Sequence, residues 1–174
     1  MFYSLCYPTL SNEDNNVITS YRKTHDLPFR DVVAHHFTIA FGVSDLGREE
    51  YFNHVRMLAR QTRKINFTCR YAMLGNDDSN DNFYVFLVPD EGFSEISLLH
   101  DQIYRGPLAP YHKLEIPYIP HIGIATIPDS WKVKALCEEL NESGLNITGS
   151  LDGITICEYT GSVINDLEYV QFAR

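Results

Sequence analysis

Two short segments, about half the chain apart, have the same residue pattern and constrain the fold more than any other feature. They are residues 34–41 (AHHFTIAF) and 120–126 (PHIGIAT). Both alternate in the way typical of β-strands, whose successive side chains point to opposite faces. One face of each segment is apolar. The other face begins with a histidine, His36 or His121, and continues only with the small residues Thr38, Ala40, Gly123 and Ala125.

The small residues indicate an open surface, because large apolar side chains normally fill a buried strand face. The pattern therefore predicts that each strand turns its histidine toward a cleft. One histidine lies in each half of the chain, as an internal duplication with two converging strands would produce, so we expect the two imidazoles to face each other. The residues predicted to point into the core are Phe37, Ile39, Phe41, Ile122 and Ile124.

The rest of the chain alternates strands and helices, and no linker or low-complexity segment divides it. Periodicity and capping residues predict helices over 12–25, 47–62, 93–105 and 129–143. They predict strands over 1–10, 31–43, 65–74, 83–89, 119–127, 145–159 and 163–172. Residues 75–82 predict a solvated turn, since they lack the glycine at the sixth position and the terminal glutamate of a calcium-binding loop. The sequence thus indicates one α+β domain over residues 1–174, with two similar halves.

Charge and cysteine content limit the partners of the chain. It has 14 Lys and Arg residues against 23 Asp and Glu residues, a net charge of −9. Duplex nucleic acid is bound mainly through basic patches, so we expect no duplex partner, whereas a small nucleotide is compatible. No apolar stretch is long enough to span a membrane, and no secretion signal is visible. The four cysteines lack metal-ligand spacing. We therefore expect a cytoplasmic monomer with reduced thiols and no membrane partner.

The remaining histidines are not predicted to be catalytic. His35 is expected to point to the back of its strand, although a shift of one residue in register would exchange it with His36. Four others have no cooperating residue nearby in the sequence, and we expect surface or capping roles for them: His25, His54, His100 and His112.

The segments His36-Phe37-Thr38 and His121-Ile122-Gly123 resemble the H-x-T … H-x-(T/S) signature of the two-histidine phosphoesterases. That superfamily includes RNA 2′,3′-cyclic phosphodiesterases, 2′-5′ RNA ligase-like proteins and small cyclic nucleotide phosphodiesterases. Residues 116–121 (IPYIPH) and 150–153 (SLDG) are similar to the family as well. The resemblance implies a bilobal α+β fold, in which two antiparallel sheets related by pseudo-twofold symmetry flank a central cleft, with helices packed outside. One residue departs from the signature, because Gly123 stands where the family has Thr or Ser.

The resemblance also implies a function. His36 and His121 would act as acid and base in the hydrolysis of a cyclic phosphodiester or a 2′-5′ linkage in a small nucleotide or an RNA end, since imidazole titrates near neutral pH. Thr38 would bind a phosphate oxygen, and Gly123 would let a water or a backbone N–H approach it. Tyr118 would stack a base at the entrance or only pack. We expect His121 as base and His36 as acid, with no metal or other cofactor.

Two other classes of function stay open. A protein that kept the cleft but lost turnover would only bind nucleotides or phosphate, and Gly123 favours this alternative. An interaction protein would use the same fold as a scaffold, with both histidines incidental. Serine hydrolases, nucleoside triphosphatases, dinucleotide oxidoreductases and zinc peptidases have no support, because the sequence lacks their GxSxG, P-loop, GxGxxG and HExxH motifs.

Overall fold

The computed structural model describes residues 1–76 and 81–174 and contains two antiparallel β-sheets. Residues 77–80 of the turn predicted at 75–82 lie outside the described residues. The first sheet has the strand order β3-β1-β8-β9 and the second the order β2-β7-β4-β5-β6. The strands are β1 (Phe2–Cys6), β2 (Thr9–Leu10), β3 (Phe37–Val43), β4 (Ile65–Asn76), β5 (Phe83–Glu91), β6 (Ile122–Ile127), β7 (Ile147–Leu151), β8 (Gly153–Tyr159) and β9 (Ile164–Gln171).

The four predicted helices are present, and two of them begin at the predicted caps. Ser11 accepts a hydrogen bond from the backbone N–H of Asp14 at 3.0 Å. Asp129 likewise accepts the first free N–H groups of its helix, which satisfies donors that have no partner within the helix. The helices are α1 (Asn12–His25), α2 (Arg48–Gln61), α3 (Phe93–Ile103) and α4 (Ser130–Glu142), with a short 3₁₀ helix at Gly106–Tyr111.

Apolar faces of the helices and sheets meet in a core that both sheets share. The Phe37 ring on β3 contacts the Phe67 ring on β4, with 5.1 Å between centroids. Helix α2 packs on β8 and β9, and α4 packs on β4, β5 and β6. All four cysteines are free and buried. The predicted α+β class, with two antiparallel sheets and helices packed against them, is confirmed.

Two predicted strands are each divided between the sheets. The strand expected at 1–10 stops at Cys6, because Pro8 has no N–H to donate to a sheet, and the chain then passes from β1 in the first sheet to β2 in the second. The strand expected at 145–159 is interrupted at Asp152, where the chain returns from β7 to β8. Each sheet consequently combines strands from both halves of the chain.

Two further strands begin later than predicted. Residues 31–36 form turns, and β3 begins at Phe37. Strand β6 begins at Ile122 rather than at residue 119. Both histidines of the paired motif therefore stand immediately before a strand. Among the described residues, no helix is long and apolar enough to cross a membrane.

Candidate active site

The two histidine motifs lie on the edge strands of different sheets. Strand β3 is the edge of the first sheet, and β6 is the edge of the second. A hydrogen bond joins the segment before β6 to β3, because the Tyr118 hydroxyl donates to the Thr38 carbonyl at 2.9 Å. The His121 ring also lowers the pKa of His36, which places the two imidazoles within electrostatic reach of each other. The structure thus brings the predicted site residues together.

Both imidazoles are held in the same orientation. Nδ1 of His36 lies 2.7 Å from the carbonyl oxygen of Ala34, and Nδ1 of His121 lies 2.7 Å from that of Ile119. A carbonyl can only accept, so Nδ1 carries the proton in each neutral ring, and Nε2 keeps its lone pair. His36 Nε2 lies 3.1 Å from Thr38 Oγ1. It is therefore His36, and not its neighbour His35, that forms a pair with Thr38.

A β-bulge occurs three residues after each histidine. In the pairing with β1, Ile39 of β3 has no opposite residue, and in the pairing with β5 the same is true of Ile124 of β6. An extra residue shifts the alternation of side chains beyond it. On the predicted cleft face, consequently, only the histidine and the residue two positions later, Thr38 or Gly123, keep the predicted arrangement. On the other face, four of the residues predicted to point into the core are buried as predicted: Phe37, Ile39, Ile122 and Ile124. The matched bulges support the predicted relation between the two lobes.

The bulges correct the predicted faces of these strands. Ala40 and Ala125 were expected to line the cleft, but their exposed fractions are 0% and 1%. Phe41 was expected in the core, but it is 41% exposed. Alternation alone misassigned all three residues because a bulge depends on the register with the neighbouring strand, which local sequence does not contain.

The surroundings of the two rings favour their neutral forms. Burial lowers the pKa of His36 to about 4, and the positive charges of Arg22 and of a protonated His121 act in the same direction. Burial also lowers the pKa of His121. The bonds to the Ala34 and Ile119 carbonyls oppose these shifts but do not cancel them. Both rings are accordingly neutral at pH 7 in the protein without substrate, with Nε2 as an available base.

Arg22 is a further residue of the candidate site, which the sequence motifs do not reveal. It lies in α1 and is buried, and its Nε donates to Asp26 at 2.9 Å. The second oxygen of Asp26 accepts the Thr126 hydroxyl at 2.7 Å. Arg22 lowers the pKa of both His35 and His36, so a fixed cation lies near the first imidazole. The spacing of Arg22 and Asp26 predicts an ion pair within one helix turn, but only the tertiary fold places that pair beside a histidine.

The second imidazole is held by an aromatic ring. His121 stacks on Phe86 of β5, with 3.8 Å between ring centroids. Gly123 pairs with Phe86 in the ladder between β5 and β6. A Cβ added at Gly123 would have no atom within 4 Å, so the space above this residue is open. The position where the second motif lacks a hydroxyl is therefore an open space, which no other side chain among the described residues fills. Thr126 does not substitute, because its hydroxyl is bound to Asp26.

The two tyrosines near the site have different surroundings. One face of the Tyr118 ring stacks on His100, with 3.7 Å between centroids, while its hydroxyl is bound to Thr38. Its predicted role in stacking a base stays a prediction. Tyr7, which follows β1, contacts the His36 ring edge-on, with 6.2 Å between centroids. Its hydroxyl donates to Asp166 at 2.8 Å. Tyr7, Ala34 and Asp166 belong to the wall of an open groove of about 560 Å³ next to His36.

Two of the remaining histidines, for which surface or capping roles were expected, are buried, and His54 bonds the last residue of α3 as a capping group would. His54 is 9% exposed, and its Nε2 lies 2.8 Å from the carbonyl oxygen of Ile103. His100 is 3% exposed and lies among aromatic rings. These positions come from the packing of α2 and α3, which the local sequence does not reveal.

Comparison with known proteins agrees with this geometry. A sequence model of the 2′-5′ RNA ligase superfamily matches residues 8–162 of the chain. A search of curated proteins found no match.

Solved structures with the same fold are similar over nearly their whole length. Escherichia coli LigT, in a complex with NADP⁺, has a TM-score of 0.60 and 14% identity, with 99% of this chain and 97% of LigT covered. The protein TT0787 of Thermus thermophilus has a TM-score of 0.62 and 16% identity, covering 98% and 97%. Usb1 of Kluyveromyces marxianus has a TM-score of 0.58 and 8% identity, covering 95% and 96%. At these identities the likeness shows a shared fold.

Proposed function

Because the chain belongs to the 2′-5′ RNA ligase superfamily of two-histidine phosphoesterases, we propose that it hydrolyses a phosphodiester in a small nucleotide or at an RNA end. The observation that carries this proposal is the matched pair of imidazoles. Each ring donates Nδ1–H to the carbonyl two residues earlier, at 2.7 Å, and each keeps Nε2 for a reacting group. A cyclic 2′,3′-phosphate is the proposed substrate, since one acid and one base suffice to open it.

In the proposed reaction, Nε2 of one neutral histidine takes a proton from water, and the water oxygen forms a bond to phosphorus. The bond from phosphorus to one ribose oxygen breaks, and the second histidine, protonated at Nε2, gives its proton to that oxygen. The product is a phosphomonoester, and the proton is returned between turnovers through solvent. Thr38, whose hydroxyl lies 3.1 Å from His36 Nε2, would turn toward a non-bridging oxygen and hold the phosphate in line.

The charges around the site favour His36 as base and His121 as acid, the reverse of the assignment expected from the sequence. Arg22 lowers the pKa of His36, and a nearby cation keeps an imidazole neutral, as a base must be. No such cation from the described residues contributes to the lowered pKa of His121. The negative charge of a bound phosphodiester would raise the pKa of both rings, and His121, without Arg22 beside it, would take up the proton first.

Small substrates fit the charge and the shape of the protein. The net charge of −9 opposes a long polyanion. The groove of about 560 Å³ beside His36, with the Tyr7 ring in its wall, would hold the nucleoside. Structures of Escherichia coli LigT hold 3′-AMP and phosphate, which are the kinds of ligand that this proposal requires. We propose that the chain acts as a monomer and needs no metal for this acid–base chemistry.

A second candidate function is nucleotide or phosphate binding without turnover. Gly123 favours it, because the second motif lacks the hydroxyl that would bind the phosphate. A hydrogen bond to a charged phosphate oxygen contributes about 1.5–3 kcal/mol, and its loss could slow the reaction strongly.

Turnover of 2′,3′-cyclic nucleotides in the presence of EDTA tests the proposal. We expect hydrolysis by the native chain and a loss of about 10²- to 10⁴-fold for His36→Ala and for His121→Ala, the range for removal of a general acid or base. His35→Ala is the matched control, because His35 adjoins His36 but does not contact Thr38, and it should keep most of the activity. Saturable nucleotide binding without turnover would instead support the second function. Neither binding nor turnover would overturn both.

A further inference from the structure

A second cluster of chemically active side chains lies beside the candidate site. His100 and Asp101 are in α3, and His112 follows the 3₁₀ helix. One ring nitrogen from each histidine and one carboxylate oxygen lie within 4.8 Å of one another. The sequence predicts surface or capping roles for both histidines. The cluster forms only in the folded chain, which brings His112 back against the end of α3.

The pair within α3 already has the separation that two ligands of one metal ion need. Nδ1 of His100 lies 3.2 Å from Oδ1 of Asp101. Two ligands about 2.0–2.1 Å from a tetrahedral ion are about 3.3 Å apart. Adjacent residues of a helix do not normally face each other, yet here the carboxylate turns back to the imidazole near the C-terminal end of the helix. Only the His112 ring would have to move closer.

The rings of the cluster are held by aromatic neighbours. His100 stacks on Tyr118 at 3.7 Å, and His112 stacks on Tyr104 at 4.8 Å, with ring planes 7° and 10° apart. Stacking fixes the plane of each imidazole, as outer partners of metal ligands do. The Asp101 side chain is 60% exposed, so an ion can reach the cluster from solvent.

We propose that His100, Asp101 and His112 form a binding site for a divalent transition-metal ion such as Zn²⁺, separate from the pair of catalytic histidines. Two imidazoles and one carboxylate suit borderline ions and not Mg²⁺ or Ca²⁺, which prefer oxygen ligands. On binding, the metal takes the lone pair of His100 Nδ1, and the proton of that neutral ring moves to Nε2. Water completes the coordination.

Such an ion would fasten the segment that leads into β6 onto α3. Tyr118 stands between the cluster and the candidate active site, since its ring stacks on His100 and its hydroxyl binds the Thr38 carbonyl. The bound metal would therefore stabilise residues 106–121 and, through Tyr118, the position of Thr38. Catalysis would not pass through the ion, so turnover in EDTA is still expected.

Titration of the tag-free chain with Zn²⁺, followed by calorimetry, and with Co²⁺, followed by visible absorption, tests the proposal. We expect one ion per chain, a cobalt spectrum without thiolate charge-transfer bands, and a higher melting temperature with Zn²⁺. His112→Ala and Asp101→Asn should weaken binding by more than the about 10- to 100-fold that follows loss of an outer partner. Both positions are at least partly exposed, so these variants should fold, which circular dichroism checks.

His25→Ala and Asp45→Asn are the matched controls, because they remove the same functional groups outside the cluster, and they should bind Zn²⁺ like the native chain. Absence of stoichiometric binding would overturn the proposal. Equal binding by the native chain and both cluster variants would overturn it as well, by placing the ion elsewhere. Neither result depends on nucleotide hydrolysis, so the metal site and the proposed enzymatic function are tested separately.

Discussion

Gly123 is the residue on which the choice between an enzyme and a binding protein depends. The first motif has a hydroxyl two residues after its histidine, at Thr38, and the second has none. The structure offers space for one, since an added Cβ at Gly123 would have no atom within 4 Å. Gly123 also lacks the positive φ angle that other residues rarely adopt. Nothing in the packing of the described residues therefore explains why the hydroxyl is missing.

We predict that Gly123→Ser raises kcat/KM for a 2′,3′-cyclic nucleotide by about 10- to 150-fold, the equivalent of about 1.5–3 kcal/mol from a hydrogen bond to a charged oxygen. Steady-state kinetics measure this change. Gly123→Ala is the matched control, because it adds the same Cβ without the hydroxyl, and it should leave kcat/KM nearly unchanged. Equal rates for the serine and alanine variants would show that the second lobe does not need this donor.

At the scale of elements, the candidate site depends on two edge strands that belong to different sheets. The bond from Tyr118 to the Thr38 carbonyl is a polar link between β3 and the segment before β6. It is short, at 2.9 Å, and partly buried, so water replaces it poorly. The relative position of the two imidazoles depends on how firmly such links hold the two edges together.

We predict that Tyr118→Phe destabilises the protein by about 1 kcal/mol and lowers kcat/KM about five-fold, since the ring can still stack on His100 while the hydroxyl bond is lost. Chemical denaturation and steady-state kinetics measure the two effects. Tyr159→Phe removes a similar bond, from a tyrosine hydroxyl to the Gly161 carbonyl at 2.8 Å, within one exposed turn. This control should keep native activity. A loss of stability without any loss of activity in Tyr118→Phe would contradict the role in holding Thr38.

The elements also show which parts of the fold the sequence could predict. Helices α1, α2 and α4 and the hairpin of β4 and β5 were predicted within a few residues, because their periodicity and caps are local signals. The assignment of strands to sheets was not predictable in this way. At Pro8 and at Asp152 the chain crosses from one sheet to the other, although the apolar pattern continues through both positions. Only the pairing with distant strands shows that each predicted strand is two strands.

The same limit applies to the candidate site. The motif identified His36, Thr38 and His121 from spacing, and the structure brings them together with both rings in the same orientation. The motif could not reveal the bulges at Ile39 and Ile124, because these depend on the register with β1 and β5. Nor could spacing reveal Arg22, because α1 packs against β6, which is distant in sequence. The cluster around His100 was equally hidden, because it forms only where the chain after the 3₁₀ helix returns to the end of α3.

Across the whole molecule, histidines that are buried or partly buried couple stability to pH. The pKa of four of them is lowered in the folded protein, mainly by burial: His35, His36, His100 and His121. In the unfolded chain these rings titrate near the ordinary value of about 6.5. Between that pH and the lower folded values, down to about 4 for His36, the unfolded chain binds more protons. The stability that these neutral rings contribute is therefore fully present above about pH 6.5, and it is lost as the pH falls toward the folded-state values.

We predict a lower free energy of unfolding at about pH 5.5 than at about pH 7, a window that lies above the titration of ordinary carboxylates. Urea denaturation at the two pH values measures the difference. His36→Gln removes the ring whose pKa is lowered to about 4 and should reduce the difference. Equal stability of the native chain at both pH values would contradict the lowered pKa values.

The same lowered pKa values fix the pH dependence of the proposed reaction. The base must be neutral, so kcat/KM should rise as the pH increases through about 4, the pKa of His36. The acid must be protonated, so kcat/KM should fall as the pH increases through the pKa of His121, which burial places below 6.5. The bell-shaped curve should therefore have its maximum on the acid side of about pH 6.5, with apparent values that belong to the pair of rings.

The curve for kcat should lie at higher pH than the curve for kcat/KM, because it reports the complex, in which the negative charge of the phosphodiester stabilises imidazolium. Initial rates from about pH 4 to about pH 9, at saturating and at low substrate, measure both curves. Removing the fixed cation with Arg22→Gln should shift the lower limb of the kcat/KM curve to higher pH, since a neutral side chain no longer disfavours protonated His36. A shift of the upper limb alone would instead assign the acid to His36, the opposite assignment. The limb that moves in Arg22→Gln thus identifies the catalytic base by an observation independent of total activity.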